Sequence, residues 1–458
     1  LDLVLVADTS GSMNAAARKT QADFLAGAAK VDITPKTGLN SWGYSPPPIM
    51  TGVLDPLYAK SLVLESDDST VAVVTMDLGR VLIPSLLDEI RARVKSKGID
   101  HVMFTASHTH QAPPVDIDAD YTRKMAKQMG DCILAARKNL KPATIGVGRT
   151  EINISSNRRK ILANGQCMMV WRNAEQFPMG PNDQEAGIIR IDSESGEAIA
   201  VLVNFACHPV VLSWDNTKYS ADWVGEMNRV IEDSTGAVSL FMQGGSGDIN
   251  PYLDKTPIAD GGIEAMRSVG RTAGNAVIAA LPGITAEKPA TPSVKVSTKR
   301  VQVGLRWDLS KEKNRATLKQ VYGDYMFNKY LAELPANLSI PISTIMINEN
   351  LAFAMMPGEP FIQYQIDLKN LSPVKDTFLV AYADEFHIYI PTIKDSAARG
   401  YGAAANTYVG AGAGDRMLTE LLLDIGLLSG KVVPDPKVED FQLIEGKATD
   451  TLESVSGN

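Results

Sequence analysis

Short, continuous apolar runs recur along the chain: "VAVVTM" (71–76), "HVMFTAS" (101–107), "AIAVLVNFAC" (198–207), "VSLFMQ" (238–243), "NLAFAMM" (350–356) and "TFLVAYA" (377–383). Runs this short and this rich in β-branched residues read as strands. Helical stretches are expected at 84–97, 118–140, 222–233, 262–281, 311–333 and 414–428, with Pro84 suited to a first turn. Strands separated by helices predict an α/β fold built on a large mixed sheet.

The ends of these runs carry unusual chemistry. The first ends in Asp77, the second in His108 and His110, the third in His208 and the fourth in a glycine-rich turn carrying Asp248. The fifth ends in Pro357-Gly358-Glu359 and the sixth leads to Asp384, Glu385, His387 and Tyr389. Ligand sites of open α/β sheets form beyond the carboxyl ends of strands, where loops from several strands meet. Imidazoles and a carboxylate gathered there suit a catalytic zinc site. Asp77 and Asp248 also suit capping or turn roles, and His101 and His387 read as ordinary polar residues.

Composition narrows the classes. The 458 residues, 45% hydrophobic and 21% charged, support a large core. A net charge of −8 without a basic stripe argues against a nucleic-acid partner. No apolar run reaches the roughly 18 residues of a membrane span. Residues 1–7 lack the basic flank and cleavage site of a signal peptide. Cys132, Cys167 and Cys207 are odd in number and unclustered, so neither disulfides nor a cysteine zinc site is expected.

The first residues, "LDLVLVADTSGSM", resemble the metal-adhesion motif of von Willebrand A domains through Asp8, Ser10 and Ser12. A new pattern begins by Ala26, which leaves no room for that domain's sheet. The expected organisation is an appended strand-turn over 1–25, a catalytic domain over 26–430 and a polar tail over 431–458. A metal-binding or adhesion module on an inert scaffold is the rival reading.

Taken together, "AGAAKVDITP", "WGYSPP", "TGVLDPLYAKSLVLES", "TASHTHQAPP", "SSNRRK", "NFACHPVVL", "YSADWVGEM", "GSGDINP", "MPGEP", "FHIYIPT" and "GYGAAANTY" resemble the neutral/alkaline non-lysosomal ceramidases across roughly residues 26–430. The resemblance implies a zinc-dependent amidohydrolase acting on a ceramide-like N-acyl lipid. It also implies a small N-acyl or lipid substrate, transient contact with a membrane surface and a secreted or periplasmic location. It makes His108, His208, Glu359 and Tyr389 the metal ligands. His110 and Arg158 would stand beside the scissile amide, and Tyr401 would line the site. Three departures stand out. Asn250 occupies the place of a serine implicated in the family's catalysis, so it is expected to orient a water or the carbonyl, and a different amide or ester becomes an alternative substrate. Ala112-Pro113-Pro114 replace glycines, and the family's C-terminal immunoglobulin-like domain has no counterpart.

Overall fold

The computed structural model describes residues 23–435 and 437, apart from 67, 68, 116 and 405. The Asp8-Ser10-Ser12 motif and nearly all of the expected tail lie outside the described residues.

Twelve strands carry the fold: β1 (Leu25–Asp32), β2 (Tyr58–Glu65), β3 (Thr70–Met76), β4 (His101–Ala106), β5 (Lys141–Glu151), β6 (Glu185–Ser193), β7 (Ala198–Phe205), β8 (Val238–Gln243), β9 (Val294–Gly304), β10 (Asn337–Ile347), β11 (Leu351–Met355) and β12 (Asp376–Val380). The first eight form one mixed sheet in the order β8-β7-β6-β5-β1-β2-β3-β4, and the last four form a second sheet in sequence order. The helices are α1 (Pro84–Lys95), α2 (Asp120–Lys138), α3 (Asp222–Thr235), α4 (Gly262–Ala280), α5 (Glu312–Met326), α6 (Ile362–Leu371), α7 (Ile393–Ala398) and α8 (Ala413–Leu428).

Three pairs among these twelve strands are parallel: β3 with β4, β7 with β8, and β11 with β12. Parallel neighbours need a crossover, and α1, α3 and α6 supply one each. The large sheet pairs through only Leu25↔Pro142 and Ala26↔Lys141 where β1 meets β5. Its two halves therefore diverge there and pack face to face. Phe24, Leu62, Val71 and Met103 from one half meet Ile189, Leu202, Leu240 and Met242 from the other, with Leu351, Phe353 and Phe378 of the second sheet closing the same cluster.

The alternate residues of these strands face outward onto helices. Ala72, Val74 and Met76 pack against α1 and α2, Val201, Val203 and Phe205 against α3 and α4, and Ala352 and Ala354 against α8. Burial on both faces makes these strands continuous apolar runs. Each fully buried Val, Leu or Phe side chain contributes about 1.5–3 kcal/mol.

The helix expected at 311–333 is interrupted. Gly323 adopts φ 78°, ψ 155° within α5, and residues Phe327–Leu331 form a π-helical turn. This excursion lies between the paired ends of β9 and β10, Gly304↔Asn337. It buries Leu318, Phe327 and Leu331 in a small core of its own. Among the described residues, no helix is long and apolar enough to cross a membrane.

Candidate metal and active site

The carboxyl ends of all three parallel pairs converge. Gln243, the last residue of β8, donates from Nε2 to the carbonyls of Ser107 (3.0 Å) and Cys207 (2.9 Å). Its own carbonyl accepts from Ala381 just beyond β12 at 2.8 Å. One residue, through its side chain and its carbonyl, thus fastens the segments that precede His108, His208 and Tyr382.

The potential ligand atoms of His108, His208 and Glu359 lie within 4.8 Å of one another, and all three residues are buried. Glu359 Oε2 is 3.5 Å from His108 Nε2 and 3.3 Å from His208 Nε2. The far nitrogen of each ring is already engaged: His108 Nδ1 bonds the Gly79 carbonyl at 2.7 Å and His208 Nδ1 the Ile249 carbonyl at 3.0 Å. A carbonyl only accepts, so each Nδ1 carries the proton and each Nε2 presents a lone pair. Desolvation dominates the titration of these rings, lowering the His108 pKa to about 3 and that of His208 well below its ordinary value. Both are neutral, as metal ligation requires.

The backbone bends to make this arrangement. His108 sits at φ 73° and Tyr382 at φ 53°, a left-handed conformation unusual for residues with a Cβ. Gly358 also has φ 76°, and a Cβ there would stand 2.0 Å from the His387 carbonyl, so glycine is required immediately before Glu359. Glu359 pairs in parallel with Tyr389. Burial raises the Glu359 pKa, while Arg158 and the hydroxyls of Tyr389 and Tyr382, which donate to its carboxylate, pull it down.

His110 Nε2 lies 3.4 Å from His108 Nε2, and burial likewise holds His110 neutral. Arg158 stands further back. Its guanidinium donates to the Gly247 carbonyl at 2.6 Å and to Asn250 Oδ1 at 3.0 Å. It packs over the rings of Trp171, Tyr389 and Tyr401 at 4.9, 5.4 and 5.5 Å. The other end of the Asn250 amide donates to Asp254 Oδ2 at 3.0 Å, and Lys255 holds that carboxylate at 2.8 Å. Both ends of the Asn250 amide are therefore occupied by protein, and neither Asn250 nor Arg158 lines the open cavity.

That cavity, about 300 Å³, is lined by His108, His110, Glu359, Tyr389 and Tyr401 of the expected set. Sequence reasoning missed its other walls: Trp42, Arg80, Tyr322, Leu331, Phe386 and Tyr408. It also missed Tyr382, which stacks on His108 at 4.2 Å and bonds Ser246 Oγ at 3.1 Å. Tyr322 and Leu331 lie on α5 and the π-helical turn after it, and the others are single loop residues without periodicity; only Tyr382 had a signal, as an aromatic near the end of an apolar run.

The remaining polar candidates have structural work. Asp77 accepts the Tyr58 amide at 2.9 Å, and Asp248 accepts the Ile362 amide at the start of α6 at 2.8 Å. His101 begins the strand whose opposite end leads to His108. His387 pairs with Glu385 and Tyr408 at 3.0 and 3.1 Å. A larger cavity of about 540 Å³, walled by Lys60, Asp77 and Glu232, holds no metal-ligating histidine among the described residues, and the Lys60–Glu232 pair there is closed at 2.8 Å.

A crystal structure of neutral ceramidase from Pseudomonas aeruginosa is similar with a TM-score of 0.71 at 17% identity, covering 92% of this chain and 78% of that one. A structure described as ceramidase complexed with C2 is similar with a TM-score of 0.70, again at 17% identity, covering 91% and 77%. At that identity the likeness establishes the fold. The family profile described as neutral/alkaline non-lysosomal ceramidase, N-terminal, matches residues 24–272, which hold His108, His110, Arg158 and His208. This chain belongs to the neutral/alkaline non-lysosomal ceramidase family.

Proposed function

We propose that the chain is a zinc-dependent hydrolase that cleaves the amide bond of an N-acylated lipid, with ceramide as the leading substrate. One observation carries the reading: His208 Nε2 and Glu359 Oε2 are buried without a hydrogen-bond partner and face each other across 3.3 Å. Buried polar atoms left unmatched are costly, and a cation among them resolves the cost. Two neutral imidazoles with engaged Nδ1 atoms plus one carboxylate form a donor set suited to zinc, with Tyr389 beside the carboxylate as the fourth ligand. When bound, zinc supplies Lewis acidity and water acidified to a pKa near 7.

The protein supplies the rest. His110 faces the cavity as a neutral imidazole within reach of His108 and passes a proton to the departing amine. Arg158 sets a fixed positive charge behind Tyr389 and favours negative charge developing on the amide oxygen. Exposed Ile161, Leu162 and Met168, on the hairpin leading to Trp171 beside Tyr401, form an apolar rim where a lipid chain is met.

Metal analysis and turnover of N-acylsphingosine test the reading together. About one zinc per chain, lost in His208→Ala, is expected. His110→Ala and Arg158→Ala should keep zinc while lowering turnover by about two orders of magnitude. A chain that binds no zinc, or a loaded chain inert on every amide and ester, refutes the assignment.

A further inference from the structure

Tyr382 is wholly buried and does not line the cavity, yet it reaches two of the three clustered ligands. Its ring stacks on the His108 imidazole, with centroids 4.2 Å apart and planes 28° from parallel. Its hydroxyl donates to the Glu359 carboxylate. Its backbone amide donates to the carbonyl of Gly358, one residue before that ligand, at 3.0 Å. All of this is achieved at φ 53°, a conformation that a residue with a Cβ keeps only where its surroundings impose it.

The hydrogen-bond inventory gives this contact a direction. A tyrosine hydroxyl has one proton and a carboxylate only accepts, so the Tyr382 proton goes to Glu359. The Ser246 hydroxyl, 3.1 Å from the Tyr382 oxygen, therefore donates to it. The Ser246 carbonyl also accepts from the His208 ring, beside that of Ile249. Bonds chained in one direction polarise and strengthen one another. Ser246 and Tyr382 thus form a buried strut that touches His108, His208 and Glu359. Glu359 Oε2 faces both Nε2 atoms and has no hydrogen-bond partner, so the tyrosine hydroxyls bear on Oε1. Tyr389 donates to the same carboxylate, but the reading above commits it to the cation. Tyr382 is the donor that stays once the cation is bound.

We propose that Tyr382 is a positioning residue of the metal centre: its hydroxyl occupies Glu359 Oε1, so that the carboxylate offers Oε2 alone to the cation, while its ring fixes the plane of His108. The inference rests on the zinc-dependent reading above and adds a residue to it, leaving the substrate as proposed there. Removing an outer partner of this kind lowers metal affinity or activity by about 10- to 100-fold.

The test uses the full chain, stripped of metal and reloaded with zinc or with cobalt(II), whose visible absorption bands report the geometry of the ligands. Tyr382→Phe keeps the ring and deletes the hydroxyl. It should raise the zinc Kd about 10- to 100-fold in chelator competition and shift the cobalt bands, with circular dichroism unchanged. Tyr382→Leu deletes the stack as well and should lose more. Ser246→Ala leaves both groups of Tyr382 in place and should weaken zinc binding only about 2- to 10-fold. Wild-type affinity with unmoved bands in Tyr382→Phe overturns the inference while leaving the hydrolase reading intact. A fall in affinity with unmoved bands also overturns it, since that marks general loosening and not a reoriented ligand. If Tyr382→Phe does not fold, Ser246→Ala decides: weakened binding with shifted bands supports the strut, and wild-type affinity refutes it. A wild-type chain that binds neither ion refutes the metal reading itself, and the strut with it.

Discussion

Replacing Asn250 by alanine isolates how Arg158 is held. The amide spans two charged groups, accepting from Arg158 at 3.0 Å and donating to Asp254 at 3.0 Å. Alanine removes both bonds. Asp254 retains Lys255 at 2.8 Å, and Arg158 retains the Gly247 carbonyl at 2.6 Å, so neither charge is stranded. Of the two lost bonds the one to Arg158 bears on turnover, and a hydrogen bond to a charged group is worth roughly 1.5–3 kcal/mol. Where that interaction places the Arg158 charge for the transition state, the fall in turnover is about 10- to 100-fold, at one decade per 1.4 kcal/mol. Asn250→Ser keeps a group able both to accept and to donate, and should recover part of the loss. Asn250→Asp sets a second carboxylate against Asp254 and should be the worst of the three. The assay is steady-state turnover beside zinc content. Full activity in Asn250→Ala would show that Arg158 needs no such brace; loss of zinc would show that the network supports the ligands instead.

A Cβ on Gly79 would lie 2.2 Å from the Trp42 ring, which stands edge-on to His108 and His110; Gly79→Ala should therefore weaken zinc binding and cost about 1–3 kcal/mol of stability, and unchanged affinity in chelator competition would reject this. Burial raises the Asp55 pKa from 3.8 to about 7 despite its bonds to Ser220 and Ala221. The folded protein therefore binds more protons than the unfolded chain between these values, and stability is lost as pH rises through them, by at most about 4 kcal/mol. Asp55→Asn should remove that slope between about pH 4 and 7, and parallel urea-melt profiles would refute it. Deleting residues 1–22 should preserve folding and turnover, the cut stopping short of Phe24, which is buried and whose carbonyl accepts from Ala143; a truncated chain that cannot fold would show the segment to be part of the fold.

Burial decides how much of the fold was legible. The six strands read from the sequence are continuous apolar runs. Of the other six, β1, β5 and β9 mix polar and apolar residues along partly buried segments, while β2, β6 and β10 are buried over most of their length but carry Lys60 and Ser61, Arg190 and Asp192, and Ser343 and Thr344 inside the run. His108, His208 and Glu359 were legible because each directly follows a two-sided strand. Tyr382 was not, since "TFLVAYA" reads as strand throughout whereas β12 stops at Val380 and the chain turns to φ 53° at Tyr382. The Asn250 network was invisible because its partners, Arg158 and Asp254, reach it through side chains rather than through any local pattern.

The excursion between β9 and β10 separates two kinds of inheritance. Its ends are clamped by the Gly304↔Asn337 pair and by the Leu305 amide on the Ala336 carbonyl at 2.7 Å. Between them it contributes Tyr322 and Leu331 to the cavity wall but none of the histidines or carboxylates that gather at the strand ends. Changing the length of a segment closed at its base costs little, since the closure penalty grows only with the logarithm of length. Lineages of this fold can therefore trade substrate preference by exchanging residues 306–335 as a cassette, while the chemistry descends unchanged with the sheets.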